Sequence, residues 1–146
     1  MRESRGRHKF GVLLAALFAV AILPVTAHAS LETDILDRWY SLLGKADATG
    51  LAGMLAPKAK IKLEDIGTTQ TKAEFLDSMA AWSEAIDGGS IRYRVEATAA
   101  GTATALVCYH FRSNDLLTKE VFRMVNGLIT QSQQSKLAEN CQGFGQ

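Results

Sequence analysis

Histidine and cysteine are scarce in this chain. Its 146 residues include three histidines and two cysteines, and only His110 among the histidines lies beyond residue 29. Two cysteines and one histidine without ligand spacing do not make a zinc site, so we expect neither a metal nor a cofactor. The two prolines and the lack of repetitive or Pro/Ser-rich tracts argue against a linker between separate domains.

A basic stripe is also missing. Met1–Ala29 holds four of the 16 basic residues and one of the 15 acidic ones, which leaves 12 basic and 14 acidic residues in 30–146. These charges are interspersed, whereas neutralising the phosphates of a nucleic acid requires clustered lysines and arginines. We therefore exclude nucleic acid as a partner.

The one long uncharged run, Phe10–Leu23, is shorter than the roughly 20 residues that a helix needs to cross a bilayer. A basic head precedes it, and Pro24 and the small-x-small site Ala27-His28-Ala29 follow it. This order predicts a cleaved signal peptide, Met1–Ala29, rather than an uncleaved anchor. We expect a secreted or periplasmic protein, one domain over residues 30–146, and no stable membrane anchor after cleavage.

Both cysteines lie in the predicted exported part. A disulfide between Cys108 and Cys141 is the expected state in an oxidising compartment, and it would pin the C-terminal tail across the strands. A pair of buried free thiols is the alternative, because cysteine also behaves as a small hydrophobic residue.

Three stretches have the apolar spacing of helices. The first helix ends near Gly44, and Asp47 caps a short second helix that Pro57 stops. Thr71 and Glu74 have the form of a capping box, which predicts the start of a third helix. The apolar stripes are Ile35, Leu36, Trp39, Leu42 and Leu43, then Leu51, Met54 and Leu55, then Phe75, Met79, Trp82 and Ile86.

From Lys58 the apolar spacing changes from helical to alternating, as in a strand with one buried face. Alternation returns after residue 90 and continues almost to the end, which predicts a meander of four more strands. The pair Asn126-Gly127 predicts a tight hairpin, because both central positions of a type I′ turn need positive φ. The turn places Val125 opposite Leu128.

That turn and a loop at Ser113–Leu116 fix the predicted register of the last three strands and keep one apolar face continuous. A slip by one residue would turn Cys108 and His110 toward the helices, and the sequence leaves this alternative open. The predicted pairs are Phe122 with Gln131, Glu120 with Gln133, Val107 with Phe122, and Tyr109 with Glu120.

Two helices, a strand, a third helix and a meander make an α+β order. It resembles the nuclear transport factor 2 superfamily, SnoaL-like branch, through Ala46–Pro57 running into an alternating strand and Thr71–Phe75 opening a helix. The resemblance implies a curved, mostly antiparallel sheet wrapped around three helices. It also implies a cone with one pocket between helix one and the concave face, often in a homodimer.

Enzymes of that superfamily include isomerases, dehydratases and polyketide cyclases, while other members only bind. The dehydratase pattern uses two pocket histidines, and His110 is the only candidate here. The ketosteroid isomerase pattern uses a helix-one tyrosine, which Tyr40 matches, together with inward aspartates that the predicted inner face lacks. The sequence therefore favours binding over catalysis.

The predicted inner face combines apolar walls with a few polar groups, which is typical of a small-molecule site. We predict an exported protein that binds an apolar or amphipathic ligand. An isomerase-, hydratase- or cyclase-like enzyme using Glu120 and Tyr109 is the alternative, and a dimeric scaffold with a filled pocket is a third. The predicted ligand-binding residues are Trp39, Tyr40, Trp82, Tyr93, Tyr109, Glu120, Phe122, Gln131 and Gln133.

A homodimer is predicted through the opposite, convex face of the sheet. That face mixes apolar and charged residues, as non-obligate interfaces do. Its predicted residues are Leu106, Val121, Val125 and Leu128 among Arg92, Arg94, Glu96 and Arg123.

Overall fold

The computed structural model describes residues 30–145, so the predicted signal peptide Met1–Ala29 lies outside the described residues. No helix within 30–145 combines the length and the apolar character needed to cross a bilayer. The helices are α1 (Leu31–Leu43), α2 (Ala48–Met54), α3 (Lys72–Asp77) and α4 (Met79–Ile86). The strands are β1 (Leu55–Leu63), β2 (Thr68–Thr71), β3 (Ser90–Ala99), β4 (Thr102–His110), β5 (Asp115–Val125) and β6 (Leu128–Ala138).

The six strands form one curved sheet in the order β2-β1-β6-β5-β4-β3. Every pairing is antiparallel except that of β1 with β6, which is parallel. The helices cover one face, called the inner face from here on, and the other is the outer face. The predicted α+β class and cone-like architecture are confirmed. Strand β2, which pairs with Lys60–Leu63 of β1, was not predicted.

Helix α1 begins where Ser30 caps it, its side chain accepting a hydrogen bond from the Thr33 backbone N–H. Its buried stripe packs against the inner face and forms the centre of the core. Burial of such a stripe, rather than helix propensity, supplies most of a helix's stability in a domain. The stripe consists of Ile35, Leu36, Trp39, Tyr40 and Leu43.

The predicted capping box opens α3. The Thr71 hydroxyl accepts from the Glu74 N–H at 3.3 Å, and the Glu74 carboxylate accepts from the Thr71 N–H at 2.7 Å. The single third helix expected from sequence is divided at Ser78, whose hydroxyl donates to the Phe75 carbonyl at 2.6 Å. Serine favours such local backbone bonds, which interrupt a helix.

The second helix ends at Met54, and Pro57 lies inside β1, so the prediction that Pro57 stops the helix is wrong. Pairing of β1 with β6 lapses between Leu55 and Lys60. Pro57 falls in that gap, where its missing N–H removes no ladder hydrogen bond.

The Asn126-Gly127 turn is confirmed, with φ of 52° and 78° and Val125 opposite Leu128. After the next pair, Met124 with Ile129, the register shifts, because Thr130 is an extra residue in β6. The Thr130 hydroxyl donates to the Arg123 carbonyl. Such a bulge exchanges the inward and outward positions of the strand beyond it.

Beyond the bulge, Phe122 pairs with Ser132 and Glu120 pairs with Gln134. The predicted pairings of Phe122 with Gln131 and of Glu120 with Gln133 are therefore wrong by one residue on β6.

The predicted register of β4 with β5 is wrong by four residues, since Tyr109 pairs with Leu116 and Val107 with Thr118. The connecting loop is 111–114, closed by a hydrogen bond from the Phe111 N–H to the Asn114 carbonyl. An even shift leaves every side chain on its predicted face.

The slip that would have turned Cys108 and His110 inward does not occur. Cys108 is buried in a small apolar cluster on the outer face, and His110 is exposed beside Asp115.

The Cys108–Cys141 disulfide is present. Cys108 pairs with Leu117, and Leu117 pairs with Ala138, so the tail needs to cross only one strand after β6 ends. The tail then covers part of the outer face, where Phe144 packs in the cluster with Leu106, Cys108 and Leu117.

Two arginines of β3 hold the tail in place. The guanidinium carbon of Arg92 lies 5.0 Å and that of Arg94 5.9 Å from the centre of the Phe144 ring. Arg94 also donates to the Phe144 carbonyl at 3.0 Å. The tail therefore occupies a part of the outer face that the sequence assigned to a dimer interface.

Candidate functional site

A cavity of about 410 Å³ lies between the inner face and the helices. Its walls are mostly apolar and aromatic, with four uncharged polar side chains and one carboxyl group. The apolar lining is Trp39, Leu43, Ile61, Leu63, Phe75, Met79, Ala81, Trp82, Ala85, Phe111 and Leu116, joined by Tyr109; the polar lining is Gln70, Ser78, Glu120, Ser132 and Gln134.

Glu120, at the sheet side of this cavity, is only 3% exposed and is held by three hydroxyl groups. Tyr109 donates to Oε1 at 2.6 Å, and Thr118, also on the inner face of β5, donates to the same oxygen at 3.1 Å. Tyr40 of α1 donates to Oε2 at 2.9 Å. Glu120 thereby joins α1, β4 and β5.

Burial raises the pKa of Glu120 above its ordinary value of 4.5, and the bonds from Tyr109, Tyr40 and Thr118 oppose that rise by stabilising the carboxylate. The pKa of Tyr109 and that of Tyr40 are raised well above 10.0, chiefly by burial and then by the neighbouring Glu120 carboxylate. Both tyrosines are therefore hydrogen-bond donors at neutral pH.

Three rings form one aromatic wall of the cavity. The Trp82 ring meets the Tyr109 and Phe111 rings nearly at right angles, with centroids 5.7 and 6.0 Å away. Tyr109 and Phe111 lie parallel, two residues apart along the chain. The Trp82 N–H donates to the Leu43 carbonyl of α1 at 2.7 Å, which fixes the indole and ties α4 to α1.

Trp39 belongs to the core and lines the cavity at the same time. Its ring stacks on Phe75 at 5.5 Å and meets Phe122 edge-on at 5.9 Å. The indole Nε1 is buried and has no hydrogen-bond partner within residues 30–145. An edge-on ring contact is the setting in which an N–H group can face a neighbouring π system.

Tyr40 and Tyr93 form a second layer beside the cavity. Their rings stack at 4.3 Å, and the Tyr93 hydroxyl donates to Asp37 of α1 at 2.5 Å. Partial burial and this bond to Asp37 raise the pKa of Tyr93 to about 12. The layer positions Tyr40, whose hydroxyl reaches Glu120.

Of the nine residues predicted to bind ligand, four line the cavity: Trp39, Trp82, Tyr109 and Glu120. Tyr40, Tyr93 and Phe122 lie behind that lining and support it through ring contacts. Gln131 and Gln133 do not line it, because the bulge at Thr130 brings Ser132 and Gln134 to the inner face instead.

Several lining residues were missed from sequence. Phe111 continues the inward alternation of Tyr109 and could have been found from it. Gln70 lies on β2, which was not predicted, and Ser78 lies at an unpredicted helix break. Within residues 30–145 no group of three or more His, Cys, Asp or Glu side chains is arranged to hold a metal ion.

The sequence of the chain matches no protein-family model and no curated protein. Its structure is similar to a provisionally assigned ketosteroid isomerase from Kribbella flavida, with a TM-score of 0.62 and 14% identity over 74% of this chain and 78% of that one. It is also similar to a provisionally assigned SnoaL-like polyketide cyclase from Shewanella putrefaciens, with a TM-score of 0.60 and 14% identity over 83% of this chain and 92% of that one. A third similar structure is an NTF2-like protein of unknown function from Cytophaga hutchinsonii, with a TM-score of 0.56 and 8% identity over 84% of this chain and 100% of that one.

These likenesses show the fold. The chain has the cone-shaped fold of nuclear transport factor 2-like proteins, which the SnoaL-like and ketosteroid isomerase-like structures share. The resemblance inferred from the sequence is confirmed at this level. Proteins of one fold carry out different functions, so activity has to be argued from the site itself.

Proposed function

We propose that this chain is an exported protein that binds one small apolar or amphipathic molecule in the cavity beside Glu120. The observation that carries the proposal is the cavity itself, about 410 Å³ of space with aromatic and aliphatic walls and few polar groups. Sites for small molecules have this composition, in which apolar walls supply affinity and a few polar groups supply orientation.

The lining also argues against a purely structural role. A scaffold whose cone is filled would close this space with its own side chains, as protein interiors normally do. Here Trp39 and Trp82 are fixed by ring packing and by a backbone hydrogen bond, and space remains between them and Glu120.

Two features support export. The sequence predicts a signal peptide at Met1–Ala29, and the Cys108–Cys141 bridge is the state that cysteines adopt in an oxidising compartment.

Binding can be tested with Nile red, a neutral apolar dye, in a fluorescence titration of the mature protein. Ala85→Phe fills part of the cavity, since Ala85 lines it from α4. Ala80→Phe is the matched control, because Ala80 is an exposed residue of the same helix that does not line the cavity. We expect saturable binding, weakened by about tenfold in Ala85→Phe and unchanged in Ala80→Phe. Absence of saturable binding, or equal binding by both variants, contradicts the proposal.

A second candidate function is proton-transfer catalysis, of isomerase, hydratase or cyclase type. It is favoured by the inward placement of Glu120 within 2.6 Å of the Tyr109 hydroxyl. A carboxyl group whose pKa is raised by burial can exchange a proton with a substrate at neutral pH. Solvent deuterium incorporation into a panel of cyclic ketones, followed by NMR, tests it: Glu120→Gln should lower the rate by about a hundredfold or more.

A further inference from the structure

The carboxyl group of Glu120 has unused hydrogen-bonding capacity. An ionised carboxylate offers about four acceptor positions, two on each oxygen. Oε1 is filled by Tyr109 and Thr118, whereas Oε2 accepts only from Tyr40 within the described part of the chain. One acceptor position on Oε2 therefore remains for a ligand, and Glu120 lines the cavity that the ligand would enter.

The one ionisable carboxyl group in the cavity lining, Glu120, has no basic residue beside it in that lining within residues 30–145. No lysine, arginine or histidine of residues 30–145 lines the cavity, and Glu120 is its only acidic side chain. An anionic ligand would meet a carboxyl group and no compensating cation, so its desolvation would go unbalanced. A cation would meet the one group able to neutralise it.

The aromatic wall of the cavity also favours a cationic ligand. The faces of tryptophan and tyrosine rings carry a negative quadrupole that attracts organic cations. Trp39, Trp82, Tyr109 and Phe111 all line the same space as Glu120.

We infer that the molecule bound in this cavity is an apolar amine, held as an ammonium ion whose N–H group donates to Glu120 Oε2 while its apolar body lies among the aromatic rings. The inference rests on the proposed binding function and names the chemical class of its ligand. It requires no cofactor and no residue outside the described cavity.

Protonation of Glu120 fits this assignment. Burial raises the pKa of Glu120, and the hydrogen bonds from Tyr109, Tyr40 and Thr118 oppose that rise. If a free amine meets the protonated acid, the O–H bond of Glu120 breaks and an N–H bond forms on the amine; if an ammonium ion meets the carboxylate, the same pair forms without proton transfer. The complex then carries no net buried charge, which avoids most of the cost of burying a single ion.

Three probes with one apolar body separate charge from shape: naphthylmethylamine, naphthylmethanol and naphthoate. Calorimetric titration of the mature protein at neutral pH should give the order amine, alcohol, anion, with at least about a tenfold preference for the amine over the alcohol. Glu120→Gln keeps the shape of the side chain and removes its charge, so it should abolish the preference for the amine over the alcohol. Glu84→Gln is the control, because Glu84 is exposed on α4 and does not line this cavity.

The possible results are distinct. Alcohol or anion binding as tight as amine binding overturns the inference and leaves the binding function intact. Failure of all three probes to bind, together with failure of Nile red, overturns the proposed function. The comparison of the three probes is made on the unmodified protein, so it tests the preference for an amine even if Glu120→Gln does not fold.

Discussion

The Tyr109 hydroxyl donates to Glu120 Oε1 at 2.6 Å, although Tyr109 lies opposite Leu116, four residues before Glu120 on β5. Four residues of strand rise about 13 Å, so two long side chains must lean toward each other over Thr118 to meet. The contact therefore depends on the length of both side chains. It closes the sheet side of the cavity and joins β4 to β5 through side chains in addition to the ladder.

Removing the carboxyl group should destabilise the fold. Glu120→Ala leaves the buried hydroxyls of Tyr40 and Tyr109 without their acceptor, and an unsatisfied buried hydroxyl costs roughly 1–3 kcal/mol. We expect a loss of about 2–4 kcal/mol in the free energy of unfolding, measured by urea denaturation. Glu84→Ala, at an exposed position of α4, should change it by less than about 0.5 kcal/mol. Equal effects of the two variants would show that the hydrogen bonds from Tyr40 and Tyr109 to Glu120 contribute nothing to stability.

Because its pKa is raised in the folded protein, Glu120 should make the free energy of unfolding fall as the pH rises. The folded protein keeps this proton at pH values where the unfolded chain, with a pKa near 4.5, has released it. The stability from the protonated form is complete below that value and is lost as the pH rises through the folded-state pKa. Compared with Glu120→Gln, the wild type should lose up to about 1.4 kcal/mol per pH unit in this window.

Urea denaturation of both proteins between about pH 4 and 8 measures that difference. Hydrogen bonds from the backbone amides of Gly101 and Thr71 lower the pKa of Glu32 and Glu74 respectively, and these carboxyls give the opposite slope. They are present in both proteins and cancel in the comparison. A difference that does not vary with pH would mean that Glu120 titrates alike in the folded and unfolded chain.

The disulfide should supply a large share of the stability. Cys108 and Cys141 are 33 residues apart, and closing such a loop removes roughly 3–4 kcal/mol of unfolded-state entropy. Reductant should lower the melting temperature by many degrees and release Phe144 from Arg92 and Arg94, without changing the sheet at low temperature. A Cys108→Ala, Cys141→Ala variant should melt at the reduced value and not respond to reductant. Two reactive thiols in the denatured, unreduced protein would exclude the bridge.

The homodimer remains a prediction. The C-terminal tail covers part of the outer face, so a dimer interface can form only on the uncovered part. Leu106 is buried in the cluster that contains Phe144, whereas Val125 is 59% exposed on the uncovered part of the outer face. Val125→Asp should convert a sedimenting dimer to a monomer at tens of micromolar. Ile66→Asp, at an apolar residue that is 68% exposed in the turn between β1 and β2, should not. A wild-type monomer under these conditions would refute the dimer.

How far the sequence predicts this site depends on local signals. The Asn126-Gly127 turn was predictable because its backbone demands positive φ, and inward Glu120 followed from it. The extra residue Thr130 carries no comparable signal, since a bulge is set by packing across strands, and it replaced Gln131 and Gln133 with Ser132 and Gln134.

The β4–β5 loop shows the same limit. A continuous apolar face predicts the loop at Ser113–Leu116, but a loop shifted by an even number of residues keeps that face continuous equally well. What fixes it at 111–114 is the backbone bond from Phe111 to Asn114, with the hydrogen bond between His110 and Asp115 and the ion pair of Arg112 with Asp87 alongside. Tertiary partners of this kind cannot be found from alternation alone.

Native mass spectrometry of residues 30–146, purified without added detergent from the cells that produce the protein naturally, tests the central claim most directly. We predict protein ions that carry one small molecule per chain, released on denaturation and less abundant for Ala85→Phe, which narrows the cavity at α4. If the released molecule is an apolar amine, the ligand class inferred from Glu120 Oε2 is also supported. Protein ions of the bare chain mass, from a protein that also fails to bind Nile red, would contradict the account.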